Sequence, residues 1–326
     1  MKYSFILFFM FIYNFEAFAI QKIIVSNERG NSLSILSPEG KIIKEIKTCG
    51  RPRGLHFYQK QTKFLVACAD DDLILIYNTN SLEVINRITN VASPETFDLN
   101  PDGETLMISN EEDSTASEWN LLTGEFINEY ETGEEPEGVL ITKDGKLAFV
   151  ASEVADVVHV INLDKKIIQK DIAVDRRPRR FAMTVDEKLL YVSAELSSVI
   201  NVINISSLKV INTIKFLPNG FRKEQVTPVD LILSKNSEIG YVALGRANHV
   251  GLFNYRTNKV LDYILVGKRA WGLALSKDEK LLYVANGLSD DISIIDTKKQ
   301  KVIKSVKLQH LFRDRNIINL FLDRKL

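Results

Sequence analysis

A charge bias is missing from this chain: 42 Lys and Arg residues balance 42 Asp and Glu residues. The balance gives no general attraction toward nucleic acid or an anionic membrane surface. Cysteine is scarce, with Cys49 and Cys68 alone. That excludes a disulfide-built scaffold but permits one bridge in an oxidising compartment. Histidine is scarce as well. His56, His159, His249 and His310 stand apart, with no pair at ligand spacing. No C-x-x-C-H haem attachment, zinc signature or serine nucleophile elbow is present. The sequence therefore predicts no catalytic residue and no metal site.

Apolar runs long enough to cross a membrane are also lacking. The stretch MKYSFILFFMFIYNFEAFA has a basic start at Lys2, an apolar run from Phe5 to Phe15, and a small-x-small site at Ala17–Ala19. It predicts a secretory signal peptide cut near Ala19. Its apolar core is shorter than the roughly 20 residues that a spanning helix needs. The expected address is the periplasm or the cell exterior. Residues 20–326 are then expected to form a single domain.

What the chain does have is a repeat. The segment IIVSN ending at Asn27 returns as FLVAC at Cys68, LMISN at Asn110, AFVAS at Ser152, LYVSA at Ala194, YVAL at Leu244 and LYVAN at Asn286. The intervals are 41, 42, 42, 42, 50 and 42 residues. A second marker, running from SILS at Ser37 through HVIN at Asn162 to SIID at Asp296, keeps the same intervals. Repeats of roughly 40–45 residues with several short strands each indicate a β-propeller. One copy reads as strands at 272–276, 281–286, 292–296 and 302–307, rich in Val, Ile, Leu and Tyr and bounded by turn residues. The N-terminal copy lacks a first strand, and the tail carries a surplus apolar run, IINLFL at 317–322. Pairing the two ends would close the ring and remove an exposed sheet edge. The expected fold is all-β: a seven-bladed propeller, four antiparallel strands per blade, closed by its N- and C-terminal segments.

The segments LYVAN and LYVSA, with GLALSKDEK before and DISIIDTKKQKVIKSV after the former, resemble the YVTN type of propeller repeat. RPRRFAMTVDEKLLYVSAE and VLDYILVGKRAWGLALSKDEKLLYVANG are similar to an exported seven-bladed subgroup. That subgroup is associated with alcohol catabolism dependent on pyrroloquinoline quinone (PQQ). The resemblance implies a supporting role beside quinoprotein dehydrogenases or a transport system, with no settled reaction. The tail departs from the subgroup: HLFRDRNIINLFL stands where a Pro-Trp-Gly corner is usual.

In a propeller the links between blades and the second-to-third-strand loops open on one face. The link positions are Arg51 and Arg53, Ser93 and Glu95, Glu135 and Glu137, Arg177 and Arg179, Thr227 and Val229, Arg269 and Trp271, then Leu311 and Arg313. Arg180 adds to the fourth pair. Arginine forks suit carboxylates and phosphates. The ring reads either as a funnel for a small anion or a partner's loop, or as arginines answered by the neighbouring Glu95, Glu135 and Glu137. Trp271 would stack on a flat group or plug the channel. An eight-residue insertion within 215–228 would project Phe221, Arg222, Lys223 and Glu224 at the mouth. Asp70–Asp72 and Glu111–Asp113 form acidic loops on that face, without a cation-binding spacing. Cys49 and Cys68 are both expected at the mouth end of their strands, where a bridge would need them ~4.4–6.8 Å apart, and the sequence leaves open whether they are bonded.

The functional expectation is a monomeric, non-catalytic binding or scaffold protein supporting PQQ-dependent oxidation or linked transport. Its partner would be a periplasmic protein or a small anionic ligand. The alternative is a lactonase- or lyase-type enzyme working at the channel mouth. No cofactor is predicted: neither PQQ nor a divalent cation has a motif here.

Overall fold

The computed structural model describes residues 22–308 and 318–321. The signal segment at 1–19, His310, Leu311 and Arg313 lie outside the described residues. The four runs of the last copy form the strands Ala270–Leu275, Leu281–Asn286, Asp291–Asp296 and Lys301–Lys307. β-branched and aromatic residues suit a pleated surface covered on both faces. Leu282, Tyr283, Val284 and Ala285 are accordingly fully buried, whereas the outer strand is mostly exposed. An Asn or Asp closes the third strand in blades two to seven, where its side chain can cap the next turn. Asn120 Oδ1 accepts from the amides of Leu122 and Thr123, both at 2.9 Å, and Asn254 does the same for Arg256 and Thr257 at 3.0 and 2.8 Å.

The described residues form seven antiparallel sheets of four strands each, a seven-bladed β-propeller. Blade one holds Ile23–Asn27. Blades two to seven begin at Pro52–Tyr58, Pro94–Leu99, Pro136–Ile141, Pro178–Met183, Pro228–Leu233 and Ala270–Leu275. The surplus tail supplies the missing innermost strand as Ile318–Phe321. It lies antiparallel to Ile23–Asn27, with Ile24 opposite Phe321 and Asn27 opposite Ile318. Blades one and seven then pack together. Ile24 and Ile35 share a core cluster with Tyr283 and Ile294, and the Tyr283 hydroxyl donates to the Pro38 carbonyl at 3.0 Å. Among the described residues no helix is long and apolar enough to cross a membrane.

Candidate functional site

A local irregularity in every described first strand from blade two onward sets the channel lining. In blade two Pro52 faces Cys68 and Leu55 faces Val66, so two residues oppose one. The same shift falls between Pro94 and Phe97, Pro136 and Val139, Pro178 and Phe181, Pro228 and Leu231, and Ala270 and Leu273. A β-bulge re-aims the side chains it releases from the ladder. The first residues released are Arg53, Glu95, Glu137, Arg179, Val229 and Trp271. Serines of the second strands bond the loosened backbone: Ser193 Oγ accepts from the Arg180 amide at 3.1 Å and donates to the Val229 carbonyl at 2.6 Å. Gly138 is required here, since a Cβ would collide with the Arg179 carbonyl oxygen of the next blade.

The corner before each bulge is clasped by the previous blade. Arg51, Ser93, Arg177 and Arg269 have left-handed backbones, with φ of 45°, 33°, 60° and 59°. That region is disfavoured for residues with a Cβ. Each amide donates to a side chain of the preceding second-to-third-strand loop: Asn31 at 3.1 Å, Asp72 at 2.8 Å, Asp156 at 2.7 Å and Asn248 at 2.7 Å. Two of the acidic-loop residues therefore have structural roles. Asp72 holds the Ser93 corner, and Asp71 Oδ2 accepts from the Gly50 amide at 2.9 Å. Cys49 and Cys68 are bonded to each other, with their Cα atoms 5.6 Å apart, and join the end of blade one to blade two.

At the mouth the arginines meet glutamates. Arg53 grips Glu95 with Nε, at 2.6 Å, and Nη2, and reaches Glu28 with Nη1 at 2.7 Å. Arg51 bonds Glu111 at 2.7 Å. Glu137 accepts from Arg180 at 2.7 Å and Arg179 at 3.0 Å, with Arg53 at 3.8 Å. Glu153 takes Arg179 at 2.5 Å and Arg177 at 2.6 Å, and Glu195 takes the same two at 3.1 and 3.2 Å. Glu135, more exposed, lies 3.7 Å from Arg177. Bidentate and shared charge-assisted bonds of this kind are short and orienting. Glu95, Glu137, Arg53, Arg179 and Arg180 are all buried. Seven carboxylates here meet five guanidiniums, so acid is in excess.

That imbalance appears in the titration. Burial pushes the Glu137 carboxyl up, but the charges of Arg179, Arg180, Arg53 and Arg177 outweigh it and hold it at about 2. Glu153 is pushed up to about 8, chiefly by burial, with Glu137 and Glu195 adding to the rise. Its contacts with Arg177 and Arg179 oppose that rise. Burial lowers Arg180 and Arg269, and for Arg269 the charges of Arg179 and Arg246 act in the same direction.

The predicted ring thus divides. Arg51, Arg53, Glu95, Glu137, Arg177 and Arg179 come together in one network, joined by Arg180. Arg269 and Trp271 stand beside it: the Trp271 ring lies between Arg269 and Arg179, whose Cζ atoms are 4.5 and 4.8 Å from its centroid. Trp271 is buried and stacks on these internal cations. In the insertion, Arg222 and Lys223 are exposed, but Phe221 turns inward and meets His249 edge-on at 5.5 Å. Glu28, Glu153 and Glu195 were not singled out in the sequence. Their signal is positional: with Glu111, each directly follows a second-strand marker.

Carboxylate oxygens of Glu95, Glu111 and Glu137 lie within 4.8 Å of one another, close enough to share a cation. Arg51, Arg53, Arg179 and Arg180 already supply positive charge there, so the group does not favour a metal. PQQ, a flat tricarboxylate, would need several guanidiniums at once, and glutamates of this chain hold those of Arg51, Arg53, Arg177 and Arg179. Ser152, His159 and Asp171 line up with triad-like spacing: Oγ to Nε2 is 3.1 Å and Nδ1 to Oδ1 is 2.7 Å. Ser152 is fully buried, however, and the Gly133 amide donates to the same Nε2 at 3.0 Å. The corresponding pair in blade seven is Asn286 and Ser293, bonded at 2.9 Å, so this line is a polar bridge inside a blade.

The fold and site define the class: a seven-bladed all-β propeller with a charge-plugged mouth. A family model described as "Lactonase, 7-bladed beta-propeller" matches residues 170–309. Among curated proteins, none matches. The chain is similar in fold to a solved, functionally unknown protein from Desulfotomaculum acetoxidans DSM 771. The two share 14% identity with a TM-score of 0.77, covering 93% of this chain and 99% of that one. It is also similar to a chain of Kuenenia stuttgartiensis hydrazine synthase, at 16% identity and a TM-score of 0.54, covering 76% of this chain and 95% of that one. At these identities the likeness concerns the fold.

Proposed function

We propose that this chain is an exported, non-catalytic propeller that docks a partner protein on its mouth face, in support of quinoprotein-dependent alcohol oxidation or linked transport. The observation that carries the reading is the internal pairing of the mouth. Its arginines are held by glutamates of the same chain, which leaves a rigid platform instead of an open anion funnel. Around the platform, two residues after their second strands, stand Val154, Leu196 and Leu288, which are 54%, 41% and 61% exposed. The same position in blades two and three holds Asp70 and Glu112. Blades six and one hold the exposed Arg246 and Arg29 there, so the rim mixes three apolar positions with charges of both signs, which gives a partner both contact area and orientation. The quinoprotein association rests on the resemblance of the repeats around Arg177–Glu195 and Val260–Gly287.

The test is affinity capture from a periplasmic extract of the native host, with wild type and a Val154→Asp, Leu196→Asp, Leu288→Asp variant. The charge network is untouched by these changes. Wild type should capture a quinoprotein dehydrogenase or a transport component that the variant loses. Equal capture by both refutes docking at the mouth, and a captured set lacking both protein classes refutes the association.

A second reading, a lactonase- or lyase-type enzyme, has the family match over residues 170–309 in its favour. The mouth group suited to proton transfer is Glu153, whose raised titration lies near neutral pH. Lactone hydrolysis by wild type that Glu153→Gln abolishes would establish it. Hydrolysis at the buffer rate in both would remove it.

A further inference from the structure

The other end of the channel has a different character. Below the ion-pair plug, at the end carrying the first-to-second-strand turns, lies a cavity of about 630 Å³. Phe97, Val139, Phe181, Met183, Leu231 and Ile232, from the first strands of blades three to six, supply much of its wall. This volume lies within the range of small-molecule sites, which are mostly apolar with a few convergent polar groups. Arg180 is the deep polar group, belonging both to the plug and to the cavity lining.

The charges acting on Arg180 are mixed: Glu137 and Asp230 support its cation, whereas Arg179 and Arg53 oppose it. Its close carboxylate, Glu137 at 2.7 Å, is also bonded by Arg179 at 3.0 Å and approached by Arg53 at 3.8 Å. Its contact with Glu95 is 3.8 Å. Nη1 donates to the Glu137 carbonyl at 3.5 Å. Asp98, on the cavity wall, accepts from the Leu99 amide at 2.9 Å and the Ile141 amide at 2.8 Å. His56 stands beside it, Nε2 3.9 Å from Asp98 Oδ1. At the rim, the Glu187 carboxylate is taken by the Lys143 amide at 2.8 Å. The cavity therefore offers a long apolar wall and a buried guanidinium that shares its counter-ion.

We propose that this cavity binds a medium-chain monocarboxylate, its hydrocarbon body along the first strands and its carboxylate on Arg180. A carboxylate there accepts charge-assisted bonds from the part of Arg180 that lines the cavity. The tail displaces water from apolar walls. The site is independent of docking at the mouth face.

Calorimetric titration with octanoate and with 1-octanol tests this on the purified protein, with Val139→Phe to fill the cavity from its half-buried wall. Octanoate should bind wild type at one site. 1-Octanol should bind about tenfold more weakly, since it lacks the charge-assisted contact. Val139→Phe should remove both while leaving the urea midpoint close to wild type. Arg180→Gln, where it folds, should equalise the two ligands. The mouth variant with three aspartates should still bind octanoate. Absence of saturable octanoate binding overturns the proposal, as does equal affinity for 1-octanol or binding that survives Val139→Phe.

Discussion

The two ends of this channel are built by the same first strands and have opposite chemistry. At the mouth the bulged positions Arg53, Glu95, Glu137 and Arg179 fill the space with buried charge. A few residues further along the same strands, Phe97, Val139, Phe181 and Leu231 surround a cavity. The difference shows that conspicuous charge and available space are separate properties. The arginines that look like a ligand clamp are held by glutamates of their own chain. The end with ordinary apolar residues is the one with room.

The largest break in this comparison should come from the mouth. Glu137 is fully buried and serves Arg179 and Arg180 directly. Glu137→Gln removes the close carboxylate of buried Arg180, whereas Arg179 keeps Glu153 and Glu195. Removing one partner of a buried pair costs about 3–5 kcal/mol. Urea denaturation should show a loss of that size. A loss under about 1 kcal/mol would mean that water screens the plug.

The sequence made the scaffold far more legible than the site. Seven blades follow from two markers sharing one interval, and the closing strand follows from a missing first strand at one end and a surplus run at the other. Ile318–Phe321 fills that vacancy, and residues 317 and 322 of the expected run lie outside the described residues. The ring of charges was legible because Pro52, Pro94, Pro136 and Pro178 align the corners. Its meaning was not. Pairing depends on Glu28, Glu153 and Glu195, which enter from second-strand ends of other blades, and on bulges that no local motif marks. The inward turn of Phe221 onto His249 is likewise a tertiary choice. The cavity was invisible for a related reason: its volume is set jointly by four strands, and no single residue announces it.

A second test separates the ends by pH. Glu153 is raised to about 8 in the folded protein from an ordinary 4.5. Between those values the folded state holds a proton that the unfolded state releases, so this group's contribution to stability falls as pH rises. Glu137 has the opposite sign. Held at about 2, it contributes stability above its ordinary 4.5 that is lost as pH falls toward about 2. Urea midpoints at pH 5 and pH 8 should fall more steeply for wild type than for Glu153→Gln. Parallel slopes would show Glu153 ionised throughout. Substitutions in the apolar end should leave the wild-type slope unchanged.

The smallest expected effect lies at that apolar end. Truncating a fully buried Met to Ala typically costs about 2–5 kcal/mol, because a new void is left and its lining loses contacts. Met183 is half-buried, and part of its surface already borders the 630 Å³ cavity. Met183→Ala enlarges an existing void instead of opening one in packed core. The transfer loss remains, but much of the cavity contribution is absent, so about 1 kcal/mol is expected. A loss near 4 kcal/mol would mean that Met183 is packed on all sides and that the cavity is narrower than its lining implies. A loss near 1 kcal/mol, set against the Glu137→Gln value from the neighbouring blade, would place the channel's stability in its charged end and its free volume in its apolar one.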